Sequence, residues 1–404
     1  MIANRSCPVC HNSEIKFIRE INFLLFENHP ISKGYKLVQC CCCSFIYADV
    51  LVTQKDLDIY YSNISKYEDK QLSTGGGYEY YDKKRLEGVA KYIDDFFPDK
   101  GIKIADIGCA IGGLLEQLKG KGFKNLLGID PSISCVQITK QEKGIDCIHS
   151  SLFELDESFG KFDLLVISHV WEHILDLENA IKSLQKILAP NGCIYIECPN
   201  AMNYKNTIHA PFQEFNTEHI NHFYERGFVN FFGIRNYECL DLGTKVFKMT
   251  SGDDYHAVFG IFKKNENLNF KLEFDKNILN SIYDYISQSD NWHKNILNKI
   301  SNEIKSINKI AFFGIGQYAF KLLFEIKKIN PNIEVQLFDN NNLNVGKKIN
   351  NSLILNGSQI SSYFVEDKTK IIITSLIHQS TIKNDICKIF LQKQMKLPVI
   401  IELK

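Results

Sequence analysis

Asp106-Ile-Gly-Cys-Ala-Ile-Gly-Gly113 is the stretch that decides the fold. The apolar run Ile102–Ile107 leads into it and the helix-like segment Leu114–Lys119 follows it, which predicts a strand, a glycine turn and a helix. A second short strand, Asn125–Asp130, ends in an acid. Such a turn brings backbone N–H groups and a helix N-terminus against a ligand, while an acid at the next strand end accepts both ribose hydroxyls. The sequence therefore predicts a nucleotide-binding βαβ unit.

The residues of the turn indicate which ligand it takes. An acid stands at Asp106, and Ala110 stands where a dinucleotide turn has its middle glycine. This D-x-G-x-x-x-G form resembles the motif of class I S-adenosylmethionine-dependent methyltransferases more than the turn that holds a pyrophosphate. S-adenosylmethionine carries a sulfonium and an amino acid tail instead of phosphates. The alternative is a structural strand–turn–helix of another α/β domain, because glycine turns are common.

Three later segments continue the same pattern. Phe162–Ser168 reads as a buried strand, His169–His173 follows its carboxyl end, and Leu188–Glu197 contains a Pro-Asn-Gly turn that leads into another strand. Ligands of open parallel sheets lie outside the carboxyl ends of the strands. The order of strands, acids and turns resembles that of class I methyltransferases over roughly 150 residues. We therefore expect an α/β fold with a Rossmann-like methyltransferase sheet.

Composition limits the classes of function. The chain has 404 residues, 45% hydrophobic and 23% charged, which predicts two or three globular domains at a prior of about 150 residues each. Lys+Arg and Asp+Glu are each 47, so no net charge attracts nucleic acid or an anionic membrane. The N-terminal residues contain no apolar signal region, and no stretch reaches the ~18 apolar residues of a membrane span. We expect a cytoplasmic protein with a small-molecule substrate and neither nucleic acid nor membrane as partner.

The cysteines predict a metal site. Six of the thirteen cysteines lie within the first 43 residues, and two C-x-x-C pairs stand out: Cys7 with Cys10, and Cys40 with Cys43. Four thiolates at this spacing suit a tetrahedral zinc ion. Unligated thiols, or disulfides in a secreted protein, are the alternatives, but an odd number of cysteines argues against secretion. A closed site of four thiolates is structural, because it leaves no open position for catalysis.

The chain contains a second glycine turn near its C-terminus. Gly314-Ile-Gly316 follows the apolar run Lys309–Phe313, and Asp339 ends the next predicted strand. These residues support an alternative function, a nicotinamide-dependent sugar-modifying enzyme that uses this second Rossmann-like unit. After Asp339, however, only His378 offers a recognisable proton donor for hydride chemistry. A nucleotide-sugar contact or an architectural role is the favoured interpretation of this unit.

Five segments follow from these patterns. They are a zinc-binding module (1–50), a tyrosine-rich helical lid segment (51–98), the S-adenosylmethionine-binding methyltransferase domain (99–262), a helical connector (263–306) and a C-terminal Rossmann-like domain (307–404).

Two groups of titratable side chains are candidates for the chemistry. Methyl transfer is an in-line displacement, so the protein must align a nucleophile and remove its proton where that proton is tightly held. His169 and His173 stand four residues apart after one predicted strand, and Glu218, His219 and His222 fall within five residues. Histidine titrates nearest neutrality, and a neighbouring carboxylate orients it. The second group also offers acceptable metal ligands, but its spacing matches no common metal site.

The motifs together resemble a family, the zinc-containing sugar methyltransferases typified by the 3-C-methyltransferases of deoxysugar pathways. The resemblance rests on the two cysteine pairs, Asp106–Ala110, Trp171–His173, Glu197–Asn200 and Thr217–Phe223. It covers most of the chain, although the C-terminal part matches mainly in outline. The resemblance implies a nucleotide-linked 4-keto sugar as substrate, in surface-polysaccharide or deoxysugar biosynthesis, and a base that removes the proton beside the keto group.

The resemblance also implies roles for single residues. His219 would be the base, while Glu218 and His173 would orient the substrate or stabilise the enolate oxygen. Asn216 stands where the family has tyrosine, and Thr217 replaces the first histidine of the family's H-E-H segment. Methylation of a sugar hydroxyl, or of another small polar acceptor, needs only one base and fits these residues. We therefore expect either carbon or oxygen methylation.

The remaining predicted site residues fall into two sets. The cofactor-binding set is Asp106, Gly108, Cys109, Ala110, Gly112, Asp130, Pro131, Ser151, Leu152, Ser168 and His169. The substrate set is Tyr67, Tyr78, Asn216 and His222; Tyr67 and Tyr78 flank a glycine loop that we interpret as part of a lid.

Three other functions remain as alternatives. A nucleic-acid methyltransferase or a zinc-based nucleic-acid-binding protein would call for a basic stripe beside the zinc module, whereas Lys and Arg are scattered along this chain. The third alternative is a non-catalytic protein that acts by binding a partner. The complete βαβ unit from Asp106 to Asp130 argues against this alternative.

Overall fold

The computed structural model describes residues 1–63, 75–249, 252–304, 307, 309–364 and 369–404. The chain divides into two compact units. The first unit comprises Met1–Arg19, Lys36–Thr207 and Glu218–Ile282, and the second comprises Glu20–Tyr35, Ile208–Thr217 and Tyr283–Lys404. The five-segment division stays a prediction.

The strands of the described residues are as follows in chain order: β1 (Ile15–Asn22), β2 (Gly34–Cys40), β3 (Ile46–Asp49), β4 (Lys103–Ile107), β5 (Asn125–Asp130), β6 (Asp146–His149), β7 (Phe162–Ser168), β8 (Leu188–Pro199), β9 (Asn221–His222), β10 (Tyr237–Lys248), β11 (Asp254–Lys264), β12 (Lys309–Phe313), β13 (Glu334–Asp339), β14 (Lys348–Ile349), β15 (Ser352–Asn356), β16 (Thr369–Ile373) and β17 (Ile400–Ile401). The α-helices of the same residues are α1 (Gln54–Asn63), α2 (Tyr80–Phe96), α3 (Gly113–Gly120), α4 (Ile133–Lys143), α5 (Leu177–Ile187), α6 (Glu225–Gly233), α7 (Ile278–Ile304), α8 (Gln317–Ile329), α9 (Ile360–Tyr363) and α10 (Gln379–Gln392).

The main sheet of the first unit has the strand order β10-β11-β8-β7-β4-β5-β6 among the described residues. Strands β4 to β8 run parallel, and β11 pairs antiparallel with both β8 and β10. The chain leaves β4 towards β5 and β6 and later returns to the other side of β4 with β7. The crevice at the carboxyl ends of β4 and β7 is therefore the switch point at which such sheets bind ligands. The predicted α/β, Rossmann-like fold is confirmed.

Apolar side chains explain why β4 lies in the centre of this sheet. Ile104 and Ala105 are fully buried and Ile107 is nearly so. Helix α2 contributes Val89 and Ile93, also fully buried, to the same core. Burial on both faces is typical of a parallel strand covered by helices.

A small sheet anchors the segment that carries the predicted base. Its strand order is β1-β2-β3-β9 in the described part of the chain. Strand β9 pairs antiparallel with β3, so that His222 lies opposite Ile46 and Asn221 lies opposite Tyr47. The backbone just after Glu218 and His219 is thus held by the strand that follows the second cysteine pair.

The second unit contains a separate sheet. Its strands have the order β14-β15-β13-β12-β16-β17 among the described residues, and all but the antiparallel edge strand β14 run parallel. Helix α8 begins at Gln317, directly after the second glycine turn. None of the helices in the described residues is both long enough and apolar enough to cross a membrane.

Candidate functional site

The glycine turn after β4 requires its glycines. Gly108, Ala110 and Gly112 all have positive φ angles, +73°, +47° and +77°. A Cβ atom on Gly108 would lie 2.7 Å from a methyl group of Val170, and one on Gly112 would lie 2.7 Å from Thr139 Cγ2. Because left-handed backbone favours glycine and the space is closed, side chains at both positions would push the turn away from its ligand.

Asp130 braces this turn from the end of β5. Its Oδ2 accepts the N–H of Ala110 at 2.8 Å, and its Oδ1 accepts the N–H of Ser132 at 2.9 Å. A carboxylate at the end of the second strand of such a unit is the group that accepts a ribose diol in nucleotide-binding folds. The structure therefore places Asp130 where the sequence predicted a ribose acceptor.

Asp106 is a buried carboxylate at the end of β4. Its side chain is 3% exposed. Burial raises the pKa of Asp106 to about 7, with a contribution from the negative charge of Asp130, while Arg85 acts in the opposite direction. A carboxylate in such a place favours a cationic partner, because an opposite charge stabilises its ionised form.

The other predicted cofactor residues lie at neighbouring strand ends. Cys109 belongs to the turn, and Pro131 follows Asp130, with its carbonyl oxygen 3.0 Å from His149 Nε2. Ser151 and the buried Leu152 follow β6, and Ser168 ends β7. The structure thus brings this set to the carboxyl ends of β4, β5, β6 and β7.

The glycine loop before α2 lies against the turn. The Gly113 N–H donates to the carbonyl of Gly75 at 3.0 Å, and Asp82 accepts the N–H groups of Gly75 and Gly77. Tyr78 is 48% exposed, and its hydroxyl donates to Glu142 at 2.5 Å. Tyr67, the other predicted lid tyrosine, lies outside the described residues. The part of the loop nearest α2 therefore forms one wall of the turn.

His169 bridges two buried carboxylates after β7. Its Nε2 lies 3.1 Å from Glu197 Oε1, and its Nδ1 lies 3.4 Å from Glu172 Oε1. Burial lowers the pKa of His169, but the hydrogen bonds with these two glutamates outweigh it and raise the pKa above its ordinary value. Glu197 also accepts hydrogen bonds from Tyr195 and Lys245 at 2.5 Å each. His169 therefore lies between two buried carboxylates that favour its protonated form.

Glu172 is a site residue that the sequence prediction missed. It is 2% exposed and lies in the short helical turn Trp171–His173. Burial raises its pKa, but the positive charges of His173, His169 and His219 outweigh burial and lower the pKa to about 2. The only sequence signal was its place before His173, because the histidines around it come from distant parts of the chain.

The predicted catalytic residues lie together. His173 Nδ1 is 3.1 Å from the carbonyl oxygen of Glu218, and the rings of His173 and His219 have centroids 5.1 Å apart. Burial lowers the pKa of His173. The Glu218 carboxylate accepts the hydroxyl of Tyr60 at 2.7 Å. This cluster follows the carboxyl end of β7, the strand that Ser168 ends.

Two predicted substrate residues have other surroundings. His222 is fully buried, its Nδ1 lies 3.1 Å from the Tyr204 hydroxyl, and burial lowers its pKa to about 3. A neutral, buried histidine in a strand pairing favours a structural role. Asn216 belongs to the second unit, where its side-chain amide donates to the carbonyl of Gln213 at 2.8 Å.

The four predicted zinc-binding cysteines converge. Cys7 Sγ lies 3.5 Å from Cys43 Sγ, and Cys10 Sγ lies 3.5 Å from Cys40 Sγ. All four sulfur atoms lie within 4.8 Å of one another. Thiolates bound to one tetrahedral zinc at about 2.3 Å lie about 3.8 Å apart, so this arrangement fits the ion. Burial raises the pKa of Cys7, which a bound cation would offset.

The second glycine turn has the same bracing as the first. Asp339 Oδ2 accepts the N–H of Ile315 at 2.8 Å, and its Oδ1 accepts the N–H of Asn341 at 2.9 Å. Asn344 also donates to Asp339, at 2.8 Å. The hydrogen bonds around Asp339 show that this arrangement can be architectural, so an acid after a glycine turn does not by itself indicate a nucleotide.

Residues 81–242 match the family model described as "Methyltransferase domain". This part of the chain is therefore similar to methyltransferase domains. The match begins in α2 and ends in β10, so it includes the glycine turn, both acids and the cluster of Glu172, His173 and His219.

Curated relatives match less than a third of the chain. The mitochondrial ubiquinone biosynthesis O-methyltransferase of Mus musculus is 31% identical over 126 residues, 29% of this chain and 34% of the relative. The ubiquinone biosynthesis O-methyltransferase of Coxiella burnetii (strain RSA 331 / Henzerling II) is 28% identical over 120 residues, 28% of this chain and 50% of the relative. The chain thus spans about a third to a half of the length of these relatives.

Solved structures of methyltransferases align with about half of the chain, at low TM-scores and low identity. Magnesium protoporphyrin IX methyltransferase from Synechocystis PCC 6803, with bound SAH, has a TM-score of 0.36 and 14% identity, covering 45% of this chain and 83% of that one. A plantazolicin methyltransferase in complex with a pentazolic analogue and SAH has a TM-score of 0.38 and 16% identity, covering 52% and 98%.

Proposed function

We propose that this protein transfers the methyl group of S-adenosylmethionine to a small polar acceptor. The observation that carries the proposal is the arrangement of residues at the carboxyl ends of β4 and β5. There, a strained glycine turn lies between the buried Asp106 and the bracing Asp130, within a methyltransferase domain.

The residues at the ends of β4 and β5 match the chemical groups of S-adenosylmethionine. Asp130 accepts the ribose hydroxyls at the end of β5, beside the glycine turn. Asp106 faces the ammonium group of the amino acid tail, and this positive charge stabilises the ionised form of Asp106. When bound, the cofactor supplies a methyl group on a positively charged sulfur.

The acceptor lies on the side of the Glu218 and His219 pair. His219 removes the acceptor's proton, with the Glu218 carboxylate beside it in the chain and Tyr60 holding that carboxylate by a hydrogen bond of 2.7 Å. His173 orients His219 by ring contact. These roles place one base at the carboxyl end of β7, close to the switch point of the sheet.

For the acceptor we propose a nucleotide-linked sugar, methylated at carbon or oxygen. The resemblance to zinc-containing sugar methyltransferases supports this class, and the two converging cysteine pairs add to it. We also propose that Cys7, Cys10, Cys40 and Cys43 hold one structural zinc ion. The relatives named above are O-methyltransferases of ubiquinone biosynthesis, which makes a phenolic hydroxyl the second candidate acceptor.

The test is transfer of a labelled methyl group to a panel of acceptors. The panel contains a nucleotide-linked 4-keto sugar, the same nucleotide sugar without the keto group, and a dihydroxyphenol. Labelled product from either sugar supports the proposal, and deuterium exchange beside the keto group identifies carbon methylation. Label in the dihydroxyphenol alone would show that the acceptor is a phenol and not a sugar. A protein that binds no S-adenosylmethionine would refute the proposed methyltransferase function.

A further inference from the structure

Three side chains of the acceptor site have the geometry of a metal centre. One ligand atom each from Glu172, His173 and His219 lies within 4.8 Å of the other two. Three ligands bound to one ion at about 2.0–2.2 Å lie about 3–3.8 Å apart, so these atoms would move towards one another by up to about 1 Å on binding the ion. The set differs from the one that spacing suggested, because Glu172 takes part and His222 does not.

The ring of His173 already has the orientation that a ligand needs. Its Nδ1 lies 3.1 Å from the backbone carbonyl of Glu218, which can only accept, so Nδ1 carries the proton and donates it. The other nitrogen, Nε2, then has its lone pair available and lies 3.8 Å from Glu172 Oε1. A histidine that ligates a metal almost always donates its second N–H to a carbonyl or carboxylate in this way.

Glu172 has an oxygen atom whose hydrogen bonding is incomplete. Its Oε2 is buried and has no hydrogen-bond partner among the described residues. An unsatisfied buried acceptor is costly, and more so when it is charged, so such an atom calls for an explanation. The other oxygen, Oε1, lies 3.4 Å from His169 Nδ1, and His169 is in turn fixed by Glu197. The carboxylate is therefore oriented by a second layer of residues, as metal ligands commonly are.

We propose that Glu172, His173 and His219 bind one divalent transition-metal ion, which holds an oxygen atom of the methyl acceptor. Two imidazoles and one carboxylate are a recognised ligand set for zinc and iron(II), and three protein ligands leave coordination positions open. The inference rests on the proposed function and adds a requirement to the acceptor. The acceptor should carry a hydroxyl group next to a second oxygen atom, which belongs to a carbonyl or to another hydroxyl, so that both oxygen atoms can bind the ion.

The ion changes the task of His219 but not the reaction. His219 becomes a ligand, and the proton of the acceptor hydroxyl goes to Glu218, whose carboxylate Tyr60 holds at 2.7 Å. Coordination makes that proton easier to remove, because a divalent cation lowers the pKa of a bound O–H group. The oxygen–carbon bond then forms as the carbon–sulfur bond breaks, and the electron pair of that bond stays on the sulfur.

Cobalt(II) added to the zinc-loaded protein tests the site without an activity assay. We expect one cobalt ion per chain, with visible d–d absorption and without the thiolate charge-transfer band that binding at the cysteine cluster would give. Glu172→Gln and His219→Asn should each weaken cobalt binding by more than about 100-fold. Loss of a residue that only hydrogen-bonds to a metal ligand typically lowers metal affinity by about 10–100-fold, and loss of the ligand itself should lower it further. His149→Asn, which removes an exposed histidine of β6, is the matched control and should bind cobalt normally.

Binding of S-adenosylhomocysteine, measured on the same samples, separates two failures. Wild-type protein that binds the cofactor product but no cobalt would overturn the metal site and leave the proposed function standing. Cobalt binding that shows only thiolate charge transfer, or that persists in both ligand variants, would also overturn it. Loss of S-adenosylhomocysteine binding in both variants would indicate that neither of them folds. In that case the wild-type protein is titrated with cobalt in the presence and absence of a chelating acceptor. A shift of the d–d spectrum by the acceptor supports the site, and an unchanged spectrum contradicts it.

Discussion

Asp130→Asn should abolish most of the affinity for the cofactor, whereas the matching change Asp339→Asn should not. Both aspartates end the second strand of a βαβ unit and accept two backbone N–H groups at 2.8 and 2.9 Å. The two variants therefore make the same chemical change at matching positions, although Asn344 also donates to Asp339. Only Asp130 belongs to the matched methyltransferase domain.

The magnitude follows from the hydrogen bonds lost. A hydrogen bond to a charged group contributes about 1.5–3 kcal/mol, so a ribose diol that donates twice to Asp130 gains about 3–6 kcal/mol. At 1.4 kcal/mol for each tenfold change, Asp130→Asn should weaken binding about 10²–10⁴-fold. The loss of one charged acceptor under the turn should also lower the unfolding temperature, and Asp339→Asn should show a similar loss in its own unit.

The assay is calorimetric titration with S-adenosylhomocysteine, which has the same ribose as the cofactor, combined with thermal unfolding of each variant. Thermal unfolding shows whether each protein is folded when affinity is measured. Equal losses of affinity in the two variants, or full affinity in a folded Asp130→Asn protein, would refute the assignment of the ribose to Asp130.

Three further predictions concern other parts of the molecule. Cys10→Ser should lower the zinc content found by metal analysis by about one ion per chain, whereas Cys41→Ser, outside the cluster, should leave it unchanged; fully folded wild-type protein without zinc would contradict this. His219→Ala should keep the affinity for S-adenosylhomocysteine but lose turnover by about 10²–10⁴-fold, measured by labelled methyl transfer, and unchanged turnover would remove this residue from the mechanism. Burial raises the pKa of Asp106 to about 7, so below pH 7 the ligand must displace a proton from Asp106 when it binds. The affinity for S-adenosylhomocysteine should therefore fall about tenfold for each pH unit below pH 7. Calorimetry across this pH range should show no such fall for Asp106→Asn, and an equal pH dependence in wild type and variant would contradict the assignment.

Local sequence patterns predicted the parts of the site that depend on local backbone. The turn from Asp106 to Gly113 needs small residues at fixed positions, and the two cysteine pairs need a fixed spacing, so both are visible in the sequence. The acid at Asp130 was visible for the same reason, since it ends the strand that follows the turn.

Contacts between distant segments were not visible in the same way. His169 connects Glu172 with Glu197, 25 residues apart in the chain, and this pairing depends on β7 and β8 being neighbours in the sheet. His222 looked like part of a polar cluster, but its pairing with β3 buries it completely. Spacing alone could not show which histidines of the segment after Thr217 face Glu172.

The interleaving of the two compact units was also not predictable from local patterns. Residues Glu20–Tyr35 and Ile208–Thr217 belong to the second unit although both neighbouring stretches of chain belong to the first. Neither segment has a composition that sets it apart. Only the three-dimensional packing assigns them, and the boundary between Thr217 and Glu218 lies directly beside the predicted base.

A crystal structure of the protein with S-adenosylhomocysteine tests the central claim most directly. The account predicts the adenosine ribose on the Asp130 carboxylate and the amino group of the ligand towards Asp106, in the turn after β4. A ligand bound instead at the turn beside Asp339, or a turn after β4 that admits a dinucleotide pyrophosphate and no S-adenosylhomocysteine, would contradict it.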